Sequence, residues 1–466
     1  MSASRYLTLT ALAAALAGCA VGPDYQRPVV DLPAQYGESA VSAGRGTVQN
    51  HWWKLFGDAQ LDQLVEKALR HNTDLLAAVA RLEEAEAVMR EAGATFFPEI
   101  DAQAGATRNR TSSVTATPMP AGTPMLRNDR SASLTTAFEI DLWGKLRRAN
   151  EAARAQALSS RFARDSLQLT LTGLVSTAYL SLRALDAQVT VTVDTLASRA
   201  ETLKIQRARL SGGVASALDV QQAENAQAGV AAQLAELRRQ RAAVAHQLAL
   251  LSGEPGLALT AGNLDKLPAP PLPPAGLPSS LLEARPDIRQ AEADLIAANA
   301  KIGVAKAALF PTLSLTGALG SQSKALADLF SGPAGIWSLG ASLTLPVFDA
   351  GRNSARIEQS EARQKQALAN YRKSIQTAFK EVNDALTNLR ENSLAEQAQA
   401  TRLDQARQSL HLMELRQAAG YSGSLEVLDA QRAANDAAIS QLNARQARLA
   451  AAVELFKALG GGWKGE

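Results

Sequence analysis

The sequence predicts a mainly helical chain, written as two copies of one unit, with four short β-strands of the membrane-spanning type set between its helices. Three observations predict it. A self-similarity holds register over nearly the whole length. Two long proline-free stretches carry apolar residues at seven-residue spacing. Between the helices the apolar period falls to two in four places.

The repeat sets the boundaries. Asp74 meets Asp287 at an offset of 213 (287 − 74), and Phe97-Pro98 meets Phe310-Pro311 at the same offset. Further on the offset is 207 (351 − 144): Gly144 meets Gly351, Gly213 meets Gly420, and Leu218-Asp219-Val220 meets Leu425-Glu426-Val427. The first unit therefore carries a connection six residues longer between the Phe-Pro pair and the glycine pair. The units are residues 61–260 and 281–461, joined by a connector at 261–280. Leu267 to Pro278 holds six prolines, which remove donors and fix φ, so the connector is extended.

Residues 1–18 read as a signal peptide: Arg5 is the positive n-region, and Leu7 to Ala17 is apolar but too short to span a bilayer. Leu16-Ala17-Gly18-Cys19 resembles a bacterial lipobox, so Cys19, the sole cysteine, is the expected lipidation site. Several acyl chains give stable anchoring where one would not. Ala20, in place of an aspartate, leans towards the outer membrane, and residues 19–60 form a lipid-anchored extended segment. The covalent lipid aside, no cofactor is implied. The four histidines, His51, His71, His246 and His411, have no ligand spacing, and no glycine loop for phosphate appears, so the chain does not read as an enzyme. A net charge of +3 over 48 basic and 45 acidic residues does not call for nucleic acid.

Leu61 to Thr95 reads as one helix, stopped by Phe96-Phe97-Pro98. A long helix follows at 144–210, in which Val175, Leu182, Val189, Leu196, Leu203 and Leu210 form a coiled-coil seam. At ~1.5 Å per residue it would run ~100 Å. A further helix covers 217–252. The second unit repeats the pair at 351–418 and 425–459, keeping the seam at Val382, Leu389, Leu403 and Leu410 but breaking it at Glu396 and Gln417.

The strands lie at about residues 100–108, 131–142, 312–320 and 336–345, near the ~9–11 residues that a tilted membrane strand needs. Ile100, Ala102, Leu134, Phe138, Leu313, Leu319, Trp337 and Leu339 fall on apolar faces, as for lipid. The alternate positions are small or polar, as for a water-filled lumen, and Asp101, Glu139 and Asp141 are the lumen-facing acids. Four strands cannot close a barrel, and an open edge in lipid leaves backbone groups unpaired. Two chains give eight strands, whose own side chains fill the interior; three chains, with twelve, are the fewest that open a lumen.

Several motifs then match a known family: Cys19-Ala20-Val21-Gly22-Pro23-Asp24-Tyr25, Trp52-Trp53 with Phe56-Gly57-Asp58, Asp141-Leu142-Trp143-Gly144, Gly276-Leu277-Pro278-Ser279, Arg285-Pro286-Asp287-Ile288 and Phe310-Pro311. Over nearly the whole chain the pattern resembles the TolC-like outer-membrane factors, in particular the lipoprotein branch of multidrug-efflux outer-membrane proteins. Glu283-Ala284 departs from that pattern. The resemblance implies a homotrimer whose twelve-stranded barrel in outer-membrane lipid is continued by a periplasmic α-helical barrel. It implies two partners, a periplasmic adaptor and an inner-membrane pump of the proton-driven RND type. It also implies that the helix turns form a periplasmic tip where the adaptor docks, with Arg209, Leu210, Gly212, Gly213, Gly420 and Gly423 at the contact. Just beyond, Leu425, Asp429 and Arg432 match the family's gate, with Glu426 and its first-unit counterpart Asp219 adding to an acidic ring. Arg432 would pair with carboxylates between helices. Other readings of the same pattern are a duct for type I protein secretion or metal efflux, or a structural periplasmic coiled-coil lipoprotein.

Overall fold

The computed structural model describes residues 20–31, 33, 36, 50–112, 114, 122, 124–271 and 281–463. Cys19, the signal peptide and residues 272–280 of the Pro-rich connector, including Gly276-Leu277-Pro278-Ser279, lie outside the described residues. The elements are α1 (Ala59–His71), α2 (Thr73–Ala94), β1 (Glu99–Arg110), β2 (Leu126–Ile140), α3 (Lys145–Ser211), α4 (Ala217–Ser252), α5 (Pro286–Ala307), β3 (Thr312–Ser323), β4 (Gly335–Thr344), α6 (Arg352–Ala418) and α7 (Ser424–Ala458). The repeat holds to the residue in three of its elements. α2 and β1 map onto α5 and β3 at the first offset, and the 67-residue α3 maps onto the 67-residue α6 at the second.

One expectation is corrected. The single helix read over Leu61 to Thr95 is broken at Asn72, which is extended with ψ 126°. Its side-chain oxygen accepts from the N–H groups of Asp74 (3.0 Å) and Leu75 (3.1 Å), and its amide donates to the Leu251 carbonyl (3.0 Å). Asparagine competes with the helix by capping a new one, and here the third bond ties the break to the end of α4. The second unit breaks at the equivalent Arg285, between the one-turn helix Leu281–Ala284 and α5, because proline follows it. The Arg285 guanidinium is buried, held by Asp287 (2.7 Å), Glu381 (2.7 Å) and the Ala458 carbonyl (3.1 Å).

The strands form one antiparallel sheet in the order β1-β2-β3-β4. Its register sorts the two faces. Directly paired residues share a face, and one row runs Ala102, Leu134, Leu319, Trp337 while the next row on the other face runs Asp101, Thr135, Ala318, Ser338. Leu313 opposes Ile140 and Leu343, and Ser314 opposes Glu139 and Ser342. Leu319 (66% exposed), Trp337 (75%) and Leu339 (83%) stand on the apolar face uncovered by this chain.

The chain divides into two compact units. One holds Glu83–Ser159 and Ala291–Tyr371, hence the sheet, with the N-terminal segment to Pro28. There the strap after position 19 is clamped: the Val21 N–H donates to the Trp143 carbonyl (3.0 Å), Arg148 meets Asp24 (2.5 Å), and Arg27 grips Glu292 with two nitrogens (2.6 and 2.9 Å). A Cβ on Gly22 would stand 2.5 Å from the Gly303 backbone, so both glycines are needed for that approach.

The other unit holds Val29–Leu82, Ser160–Gln290 and Arg372–Glu466, and contains the main apolar core. Trp52, Phe56 and Leu61 pack with Tyr179, Leu248 and Phe456, and Trp52 stacks on Phe456 at 5.2 Å. Two ion pairs explain where the helix seams turn polar. Arg241 of α4 and its repeat partner Arg448 of α7 each find a carboxylate on a long helix: Arg241 binds Asp186 (2.6 Å), and Arg448 binds Glu396 (2.7 Å). Glu396, the residue that breaks the second apolar seam, is 7% exposed and also accepts from Arg445 (3.3 Å).

Candidate functional site at the hairpin tip

The two helix hairpins close in the same way. At the end of α3 the Val214 N–H donates to the Arg209 carbonyl (2.9 Å), and the Gly213 N–H to the Leu210 carbonyl (3.0 Å). At the end of α6 Tyr421 donates to Arg416 (2.9 Å) and Gly420 to Gln417 (3.0 Å). These are Schellman closures, and Gly213 (φ 74°) and Gly420 (φ 80°) take the left-handed position each requires. Gly212 and Gly423 have ordinary φ, and Gly423 is the cap residue of α7. Leu210, Val214, Tyr421 and Leu425 are exposed around the turns, leaving an apolar tip.

Asp219 joins the hairpins. It forms a capping box with Ser216 at the start of α4, and its other oxygen accepts from the Ser424 hydroxyl (2.7 Å) at the start of α7. The Ser216 hydroxyl and N–H, with Ser424, hold its carboxyl down at a pKa of about 2. Glu426 is held low mainly by the hydroxyl of Ser422.

Asp429 and Arg432 are brought together, but on one helix: their ion pair (3.4 Å) is an i,i+3 contact within α7, with side chains 63% and 73% exposed. That differs from the expected pairing between helices, and a pair so exposed contributes only ~0–1 kcal/mol. The cross-helix contact at this level comes instead from Arg199 of α3. Its guanidinium donates to the Gln431 side-chain oxygen (2.5 Å) and the Leu428 carbonyl (3.3 Å), and it is 3% exposed. Four residues away on α3, the Thr195 hydroxyl meets Asn435 of α7 (3.0 Å).

Arg199, Thr195 and Ser424 were not anticipated from the sequence. A signal for Arg199 exists. The apolar seam of α3 has a second row four residues out of phase: Leu171, Ala178, Leu185, Thr192, Arg199, Gln206, every one of them buried. The row turns from apolar to polar on the way to the tip.

On the sheet, Asp101 is exposed and Glu139 shares its face, ion-paired with Lys145 (3.1 Å). Asp141 is corrected: it lies past the end of β2, where its oxygens accept from the N–H groups of Leu146 (3.0 Å) and Arg147 (2.9 Å) and so cap α3. The carboxylate is drawn to the helix start by the free N–H groups there. Among the described residues no cluster of three metal-ligating side chains occurs, and no helix is long and apolar enough to cross a membrane.

Residues 64–254 and 277–461 match the outer membrane efflux protein family. The chain belongs to that family. It is 38% identical to the probable efflux pump outer membrane protein TtgC of Pseudomonas putida, across 98% of this chain and 95% of that one. It is 37% identical to the pyoverdine export outer membrane protein OpmQ of Pseudomonas aeruginosa, across 99% and 98%. Among solved structures, the open state of the Neisseria gonorrhoeae MtrE outer membrane channel superimposes with a TM-score of 0.86 at 30% identity, covering 96% of this chain and 99% of that one. Outer membrane efflux proteins are ducts, not enzymes, and the fold described above is theirs.

Proposed function

We propose that this outer membrane efflux protein is the exit duct of a tripartite pump, passing drugs or other small compounds outward without consuming energy. It works as a homotrimer with a periplasmic adaptor and a proton-driven RND-type transporter of the inner membrane. The observation that carries the reading is the sheet register, which puts lipid-compatible side chains on one face and small or polar ones on the other through all four strands. Among the described residues both outer strands, β1 and β4, have an unpaired edge, and in lipid those edges need neighbours. Three copies supply twelve strands, enough for an open lumen.

The lipid on Cys19 anchors the chain at the foot of the sheet. In support, Ala20, the next residue, packs against Gly144, and Val21 bonds to Trp143, four residues or fewer past the end of β2. The apolar turns around Leu210 and Tyr421 receive the adaptor, with Arg209, Gly212, Gly213, Gly420 and Gly423 shaping them. The gate is the start of α7, where Leu425 narrows the mouth and Glu426, Asp429 and Asp219 make it acidic. Arg432 sets the charge of that mouth by neutralising Asp429.

Conductance of the detergent-purified protein in planar bilayers tests the reading, comparing the unmodified chain with Asp429→Ala/Arg432→Ala. Small cation-preferring openings that widen in the variant are expected. Large openings unchanged by the variant remove the gate from α7 and keep the duct. No conductance from oligomeric, membrane-inserted protein overturns the duct.

A further inference from the structure

We infer that Arg199 is a positioning residue for the gate: it holds the first turns of α7 to α3 through neutral acceptors only, and the unpaired charge it buries makes that joint the point where the hairpins yield. The inference rests on the gate reading above.

A row of polar contacts links α3 to α7, and it changes character along its length. Ser181 meets Gln446 (3.1 Å), Gln188 meets Asn443 (2.7 Å), Thr195 meets Asn435 (3.0 Å), and last before the tip Arg199 meets Gln431 and the Leu428 carbonyl. The first three join neutral groups. The fourth takes a full charge out of water, and no carboxylate lies within ion-pair distance of it among the described residues. Its Nε has no partner, and neither has the hydroxyl of buried Thr192, one heptad up the same row. A buried charge with incomplete hydrogen bonding is costly, and a partly satisfied polar cluster holds less well than an apolar one.

The acceptors also stand in the right place. Leu428 and Gln431 lie between Leu425 and Arg432 on α7, so whatever holds them sets where the gate side chains point. On either side of Arg199 is a cavity, of about 410 Å³ and 330 Å³. Both are lined by Thr195, Arg199 and Asn435. Water entering from either one would hydrate the guanidinium as the helices part. Moving α7 away from α3 therefore recovers solvation that the joined state lacks, and the joint is biased towards opening.

Two substitutions remove the unpaired charge in different ways. Arg199→Met keeps the length without the charge, and Gln431→Glu gives the guanidinium a carboxylate. The test measures single-channel open probability together with the α3–α7 separation, from spin labels at exposed positions 204 and 433 (Lys204→Cys, Ala433→Cys). Both substitutions are expected to narrow the distance distribution and lower open probability about tenfold. Arg199→Lys, which keeps the charge, stays close to the unmodified chain. The effect of Gln431→Glu disappears in the Arg199→Met background, since the two act as one pair. Broader distances in Arg199→Met would make the residue a latch and overturn the inference, as would distances unmoved by either change. Narrowed distances with unaltered conductance uphold the joint and remove the gate reading instead.

Discussion

Leu319 and Ala318 are neighbours on β3, yet they stand on opposite faces of the sheet, and arginine placed at each asks which face meets lipid. β3 has 12 residues. At ~3.4 Å per residue and a tilt of ~40° the strand covers ~30 Å of depth, about one hydrocarbon core. Its midpoint falls between Gly317 and Ala318, so Leu319 sits within ~5 Å of the bilayer midplane. There a lipid-facing arginine costs ~2–4 kcal/mol, a fall of roughly 30-fold to 1,000-fold in the folded, inserted state of each chain. Ala318 shares its row with Thr135 and Ser338, so arginine there faces water and inserts at close to the unmodified level. It should also shift ion preference towards anions. Urea titration of folding into lipid vesicles, read by heat-resistant mobility on gels, gives the first quantity, and reversal potentials in planar bilayers give the second. Equal losses from Leu319→Arg and Ala318→Arg, or a larger loss from Ala318→Arg, would refute the assignment of faces.

Three more outcomes follow from the helical parts. Asn72→Ala removes two capping bonds and strands the Leu251 carbonyl, which should lower unfolding free energy by about 1–3 kcal/mol in chemical denaturation. Gly253→Ala and Gly420→Ala share a left-handed φ (68° and 80°), but a Cβ at 253 would lie 2.3 Å from the His71 carbonyl oxygen while one at 420 meets nothing within 4 Å. The change at 420 should cost only the ~1–2 kcal/mol of left-handed backbone, and the change at 253 clearly more, read as the difference between their melting temperatures. Because the folded pKa of Asp219 is depressed to about 2, its link to Ser216 and Ser424 is fully present above the ordinary carboxylate value near ~4 and fades as pH falls towards 2. Hydrogen exchange in the first turn of α4, corrected for intrinsic rates, should rise across that window, and Asp219→Asn should abolish the pH dependence.

The repeat, the strand faces and the long helices were legible because each depends on periodicity within one segment. A seven-residue apolar spacing specifies a seam wherever the helix lies, and an alternation of two specifies a face before any partner strand is known. For this reason the expected helix at 144–210 was found at Lys145–Ser211, and the expected strand at 312–320 begins at Thr312. The break at Asn72 was missed because an asparagine inside an Ala-Leu-Glu stretch is ordinary. Its capping bonds to Asp74 and Leu75 are local, but what fixes the break at this residue is the Leu251 carbonyl, far along the chain. Glu396 looked like a flaw in the seam until Arg445 and Arg448 of another helix supplied its counter-charges.

The amino-acid sequence by itself determined the kind of elements, their two-fold repetition and the chemistry of each sheet face, since these follow from spacing and backbone preference. Only the tertiary structure decided which side chains hold one repeat to the other: Asp219 to Ser424, Thr195 to Asn435, Arg199 to α7. Those partners lie more than 200 residues apart. A charge on a helix has the same local pattern whether it faces water or a buried carbonyl, and only packing removes the water that makes the two cases different.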